Sequence, residues 1–62
     1  MKYKELIYKL KSKGWYLLRQ GSKHEIWSNG ELEEPIPRHK EINELLAKKI
    51  LKKAKYYSKE IL

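Results

Sequence analysis

Residues 15–37, WYLLRQGSKHEIWSNGELEEPIP, decide the fold because they contain three short β-type runs separated by two turn signals. Gly21-Ser22 ends the first run, which is apolar enough to predict a buried strand. Asn29-Gly30 ends the second run and favours a tight hairpin turn, since both residues tolerate positive φ. The stretch therefore predicts a three-stranded antiparallel meander, with strands at residues 15–20, 24–28 and 32–36.

Two prolines fall in the third of these strands. Pro35 and Pro37 are two residues apart, so their backbone nitrogens point toward the same edge of the strand. The last strand of a meander has one open edge, and prolines there discourage pairing between molecules. The prolines therefore support the strand assignment.

Amphipathic helices are expected on both sides of the meander. Tyr3, Leu6, Ile7 and Leu10 follow the i, i+3, i+4, i+7 spacing of one helix face and predict a helix over residues 2–13, with Gly14 as its C-cap. A second helix is expected from Asn43, its N-cap, onward. Its apolar stripe would comprise Leu46, Ile50, Ala54 and Tyr57, widened by Leu45 and Leu51, and residues 55–62 either extend the helix or fray.

This order predicts an α+β fold with both helices on one sheet face, which leaves the other face open to water or a ligand. A chain of 62 residues has room for one domain, which we expect to span residues 1–62. The absence of cysteine fits the reducing cytoplasm. There is no apolar run near the roughly 20 residues of a membrane span, and no signal-peptide pattern.

Charge points to a polyanionic partner. Fifteen Lys and Arg against eight Asp and Glu give a formal net charge of +7. Such a field concentrates nucleic acid around a protein, although a lysine-rich surface also serves plain solubility. The row Lys48, Lys52, Lys55 and Lys59 is open to the same two interpretations.

The turn between the first two strands carries the clearest candidate chemistry. Ser22, Lys23 and His24 place a hydroxyl, a cation and an imidazole side by side, with Arg19 shortly before them. Cleavage of RNA by its own 2′-hydroxyl needs a proton acceptor and charge neutralisation, which His24 and Lys23 could supply without a metal. The alternative is that His24 is an ordinary residue at a strand end.

A second imidazole lies after the third strand, where Arg38, His39 and Lys40 are consecutive. His39 could share acid and base work with His24, or it could simply orient a loop or bind phosphate. Two histidines without suitably spaced carboxylates argue against a metal site, and nothing in the sequence indicates a cofactor. Trp15 and Trp27, with Tyr8 and Tyr16, could stack on bases, but the tryptophans are better explained as core residues.

Taken together, these segments resemble the HicA family of small toxins. The most specific parts are Gly14-Trp15, residues 21–27 (GSKHEIW), residues 36–39 (IPRH) and residues 50–54 (ILKKA). The resemblance covers most of the chain. It implies a fold like that of double-stranded-RNA-binding domains, endoribonuclease activity on mRNA, and neutralisation by a cognate HicB-type antitoxin.

The resemblance also assigns roles to residues. It makes His24 the catalytic residue, since the family's histidine follows the glycine turn and precedes an apolar and an aromatic residue. Many members carry a second histidine directly before it, where this chain has Lys23. His39 and Ser22 become accessory candidates, and we assign RNA phosphate contacts to Arg19, Lys23, Arg38 and Lys40.

Two other functions remain open on the sequence. A non-catalytic RNA-binding module of the same fold would bind RNA without cleaving it. A DNA-binding regulator is disfavoured because a three-strand meander leaves no room for a helix-turn-helix unit.

Overall fold

The computed structural model describes residues 1–56 and shows helices at both ends of a three-stranded sheet. The elements are α1 (Tyr3–Ser12), β1 (Tyr16–Gln20), β2 (His24–Ser28), β3 (Glu33–Pro37) and α2 (Glu44–Tyr56). The sheet is antiparallel throughout, in the order β1-β2-β3. This is the α+β arrangement of double-stranded-RNA-binding domains that the sequence predicted.

The core lies between the two helices and one face of the sheet. Leu6 and Leu10 of α1 and Ile50 of α2 are fully buried and belong to one hydrophobic cluster with Trp27 and Ile36 of the sheet. Trp15 joins this cluster, so the interpretation of both tryptophans as core residues is confirmed. Because all this burial is on one side, the opposite sheet face stays open.

Helix α1 ends in a Schellman motif. The N–H of Gly14 donates to the carbonyl of Lys11, and the N–H of Trp15 donates to the carbonyl of Leu10, both at 3.0 Å. Gly14 has φ of +86°, which the motif requires and which side-chain-bearing residues rarely adopt. Gly14 ends the helix as predicted, but the C-cap is Lys13 and Gly14 is the residue that follows it.

The predicted buried first strand is wrong in one respect. All five residues of β1 are exposed, and β1 is one of the two edge strands of the sheet. Its pairing with β2 is irregular between Leu17 and Arg19, so that Leu18 is an extra residue on the β1 side. Sequence alone did not distinguish this exposed apolar edge from a buried strand.

The β2–β3 hairpin also differs from the tight turn expected at Asn29-Gly30. Only Gly30 of this pair has positive φ, at +97°. Asn29 instead accepts hydrogen bonds at its side-chain oxygen from the N–H groups of Glu31 (2.9 Å) and Leu32 (2.8 Å). This Asx-type loop is longer than a two-residue turn and moves the start of β3 from residue 32 to Glu33.

The prolines of β3 lie as expected on an edge strand. The N–H of Arg38 points to the carbonyl of Lys23, directly before β2, at 3.4 Å. Since backbone groups alternate along a strand, the nitrogens of Pro37 and Pro35 face away from β2, toward the open edge.

Helix α2 begins as predicted. The side-chain oxygen of Asn43 accepts hydrogen bonds from the N–H groups of Leu45 (2.9 Å) and Leu46 (3.2 Å). The expected apolar stripe is partly wrong: Leu45 is 77% exposed, and the buried position of this turn is Ala47. Tyr57, Lys59 and the rest of the predicted extension over residues 57–62 lie outside the described residues.

Candidate RNA-cleaving site

His24 is the first residue of β2, and its imidazole lies on the open face of the sheet. Its neighbour Glu25 and then Trp27 point into the core, and side chains alternate between the two faces of a strand. His24 is exposed and lies opposite Pro37 of β3. A polymer in solution therefore has direct access to this imidazole.

The turn before His24 is held by a short backbone contact. The N–H of Gly21 donates to the carbonyl oxygen of His24 at 2.7 Å. A Cβ at position 21 would lie 3.0 Å from that same oxygen, which is closer than side-chain-bearing residues normally come. Gly21 thus allows this close approach without a shift of the backbone at His24, and the turn leaves Ser22 and Lys23 exposed.

Arg38, which directly follows β3, contacts the turn that precedes His24. Its backbone N–H bonds to Lys23, and one of its guanidinium nitrogens lies 3.5 Å from the carbonyl of Gly21. The structure therefore holds Arg38 against the backbone of the turn that contains Lys23 and precedes His24, although Arg38 follows a different strand.

Arg19 shares the open face with His24 but is already paired. It lies opposite Ile26, which is two residues after His24 and on the same face. Its guanidinium forms an exposed ion pair with Glu33 at 3.4 Å. A phosphate bound at Arg19 would have to compete with that carboxylate.

His39 and Lys40 line a groove that opens at the same end of the sheet. The groove has a volume of about 600 Å³. Its walls carry several cations together with the imidazole of His39, and His24 is not among them. The lining residues are Lys2, Tyr3, Lys4, Glu25, Arg38, His39, Lys40 and Glu41.

The floor of this groove contains a buried carboxylate that no sequence pattern singled out. Glu25 is 7% exposed and accepts hydrogen bonds from the Tyr3 hydroxyl and from the indole N–H of Trp27, the latter at 3.0 Å. Burial, and then the hydrogen bond to Glu25, raise the pKa of Tyr3 to about 12. The only feature from which this carboxylate could have been predicted is the position of Glu25 on the core side of β2, next to aromatic hydrogen-bond donors.

The backbone of the N-terminal segment closes the groove. The N–H of Tyr3 donates to the carbonyl of Lys40 at 2.8 Å, and the N–H of Ile42 donates to the carbonyl of Met1 at 2.7 Å. The Met1 amine also contacts the Glu44 carboxylate at 2.5 Å, which raises the pKa of the amine and lowers that of the carboxyl. Residues 1–4 and 38–42 are thereby fixed side by side.

Two further observations concern metal ions and membranes. Within residues 1–56, no three His, Asp or Glu side chains group closely enough to hold a metal ion. In the same part of the chain, neither helix has the length and apolar character needed to cross a membrane.

Comparison with known proteins identifies the family. A family model described as the HicA toxin of bacterial toxin-antitoxin matches residues 3–56 of the 62-residue chain. The chain belongs to the HicA toxin family. The match includes every element of the described fold, from α1 to α2. Searches of curated proteins and of solved structures give no significant match.

Membership of the HicA family has direct consequences. It makes the chain a toxin of a toxin-antitoxin pair, and the partner that such a toxin implies is a HicB-type antitoxin. The HicA family is an RNase toxin family.

Proposed function

We propose that this HicA toxin is an endoribonuclease that cleaves mRNA at His24 without a metal ion. The observation that carries the proposal is the position of His24. Its imidazole is exposed on the open sheet face, directly after the Gly21 turn, in which Lys23 precedes it and to which Arg38 bonds. The mRNA substrate would place this activity in the cytoplasm.

The reaction requires a proton acceptor, a proton donor and positive charge near the phosphate. The attacking 2′-hydroxyl of the RNA loses a proton to a base, the adjacent phosphorus gains that oxygen, and the 5′-oxygen of the next nucleotide leaves with a proton. His24 acts as the base or as the acid in this scheme, since an imidazole exchanges protons near neutral pH. Lys23 and Arg38 neutralise charge on the phosphate.

The remaining candidates take supporting roles. Ser22 lies in the same turn and can donate a hydrogen bond to a phosphate oxygen. His39 and Lys40 line the groove, and in this proposal they contact flanking nucleotides. Arg19 contributes only when it exchanges Glu33 for a phosphate.

The chemistry is tested with labelled RNA and a matched oligonucleotide that carries a single 2′-deoxy position. The RNA should be cut in the presence of excess chelator, and the bond after the 2′-deoxy position should stay intact because its nucleophile is missing. Activity that disappears with chelator and returns with magnesium would overturn the metal-independent mechanism. RNA binding without any cleavage would select the non-catalytic module instead.

A further inference from the structure

We infer that the groove between residues 1–4 and 38–41 is a second RNA subsite, which binds nucleotides flanking the bond cleaved at His24. The inference rests on the proposed function for the identity of the ligand as RNA. Its own basis is the set of cations that the fold gathers there from two distant segments.

The gathering of charge is specific to the tertiary structure. Lys2 and Lys4 flank Tyr3 at the start of the chain, while Arg38 and Lys40 follow β3. The Tyr3–Lys40 backbone hydrogen bond and the β-bridge between Lys2 and Glu41 hold the two segments together. Four cations therefore converge on one concave surface.

The two carboxylates in the groove form no ion pair with its four cations, and they leave a formal excess of two positive charges. Glu25 is engaged by Tyr3 and Trp27, and Glu41 is near the Met1 amine, at 3.7 Å. Within residues 1–56, Lys2, Lys4 and Lys40 form no ion pair, in contrast to Arg19, which is paired with Glu33. An incoming phosphate would meet lysines whose charge is not already committed to a carboxylate.

The dimensions and lining of the groove suit part of a nucleic acid strand. A volume of about 600 Å³ is in the range of sites for small molecules, roughly 300–1,000 Å³. Tyr3 and His39 add aromatic rings to the wall, and such rings can stack on unpaired bases. The ligand we infer is a nucleotide with its phosphate on the lysines.

The groove is connected to His24 through the backbone. Glu25 lines the groove and directly follows His24, but the two side chains project to opposite faces of the sheet. Arg38 lines the groove and also contacts the Gly21 carbonyl in the His24 turn. An RNA strand that occupies both places must bend around the end of the sheet, which a flexible single strand can do more readily than a stiff duplex.

The test is the salt dependence of binding, measured with a fluorescein-labelled 2′-O-methyl RNA oligonucleotide that lacks the nucleophile for cleavage. The test variant is Lys2→Gln/Lys4→Gln. The control is Lys11→Gln/Lys49→Gln, which removes the same charge from two exposed lysines outside the groove. Lys40→Gln, on the opposite wall, provides an independent second variant.

We expect the test variant to bind about tenfold more weakly than the control at equal salt. The slope of log affinity against log salt should fall in magnitude by about 0.7 for each phosphate of a single strand that the protein no longer neutralises. In Lys2→Gln/Lys4→Gln the slope should therefore fall by about 1.4, and in Lys40→Gln by about 0.7. The control should keep the wild-type slope.

Equal weakening of test and control variants would overturn the inference, because only net charge would then matter. Normal RNA binding with loss of antitoxin binding would also overturn it and make the groove a protein site. Because this probe is never cleaved, a changed slope supports the groove even if wild-type protein fails to cut ordinary RNA. That failure would count against the proposed function alone.

Discussion

The buried carboxylate of Glu25 links the core to the proposed active site at the scale of single residues. It follows His24 in β2 and is held by the Tyr3 hydroxyl and the Trp27 indole. A largely buried carboxylate that loses a hydrogen-bond donor is costly, because its charge is then less well compensated. Tyr3 thereby stabilises the strand on which His24 lies.

Tyr3→Phe should lower the free energy of unfolding by about 1.5–3 kcal/mol, the usual contribution of a hydrogen bond to a charged group. Denaturant titration measures this, and Tyr8→Phe is the matched control because Tyr8 is 75% exposed. Equal stability of the two variants would show that the Tyr3–Glu25 contact contributes nothing.

The same residue predicts a pH dependence with a definite sign. Folding raises the pKa of Tyr3 from 10.0 to about 12, so the folded state favours the neutral phenol. Its contribution to stability is complete below pH 10 and is lost as pH rises toward 12. Wild-type protein should therefore lose more stability than Tyr3→Phe across this window, and parallel curves would contradict this assignment.

Gly21 is the other residue whose substitution should have a clear effect. Gly21→Ala puts a Cβ 3.0 Å from the His24 carbonyl oxygen, so the turn must shift and His24 with it. We expect RNA cleavage to fall roughly tenfold or more, because small displacements of reacting groups are expensive. Gly14→Ala is the control: it strains the backbone at positive φ and costs about 1–2 kcal/mol of stability, but it leaves the His24 turn intact. Equal cleavage by the two variants would remove the positional role of Gly21.

At the scale of elements, the caps of the two helices set where the chain turns. Asn43 satisfies two backbone N–H groups of α2, directly after the segment that forms one wall of the groove. Asn43→Ala should therefore cost about 1 kcal/mol of stability, while Asn43→Ser should retain most of it. Thermal unfolding of the two variants measures the difference, and identical midpoints would mean that the N-cap hydrogen bonds do not contribute to stability.

The helices and the meander were predictable because their signals are local. The periodicity from Tyr3 to Leu10, the glycine at position 14 and the cap at Asn43 each act within a few residues. The Asn29-Gly30 turn was mispredicted because the Asn29 side chain bonds to the backbone of the loop, which competes with the positive φ of a tight turn. Leu45 was wrongly assigned to the apolar stripe, because the spacing of apolar residues did not show that Ala47 is the buried residue of that turn.

The site was only partly predictable for a different reason. The exposed position of His24 follows from its place directly after a glycine turn. The groove could not be predicted from local sequence, because it depends on pairing between residues 1–4 and 38–42, which are far apart in the chain. Likewise, no local pattern revealed that Tyr3 would hold Glu25.

At the scale of the whole molecule, a net charge of +7 and a HicB-type partner suggest how the toxin is neutralised. An acidic antitoxin that covers Lys23, His24 and Arg38 would exclude phosphate and bury the imidazole together. Charge attraction should speed this association most at low salt.

Charge reversal separates this model from inhibition at a distant surface. Lys23→Glu/Arg38→Glu should weaken both RNA and antitoxin binding, whereas Lys11→Glu/Lys49→Glu, with the same change in charge, should affect both much less. Dissociation constants measured at several salt concentrations provide the comparison. A Lys23→Glu/Arg38→Glu variant that loses RNA binding yet binds the antitoxin with unchanged affinity would place the antitoxin elsewhere, for example on the helical side.

The most direct test of the central claim is the rate at which purified His24→Ala protein cleaves labelled RNA, compared with wild type at equal concentration. Unfolding curves and oligonucleotide binding should match wild type, since the imidazole is exposed and makes no core contact. We expect cleavage to fall to the background seen without protein. A folded His24→Ala variant that cuts RNA at the wild-type rate would contradict the account.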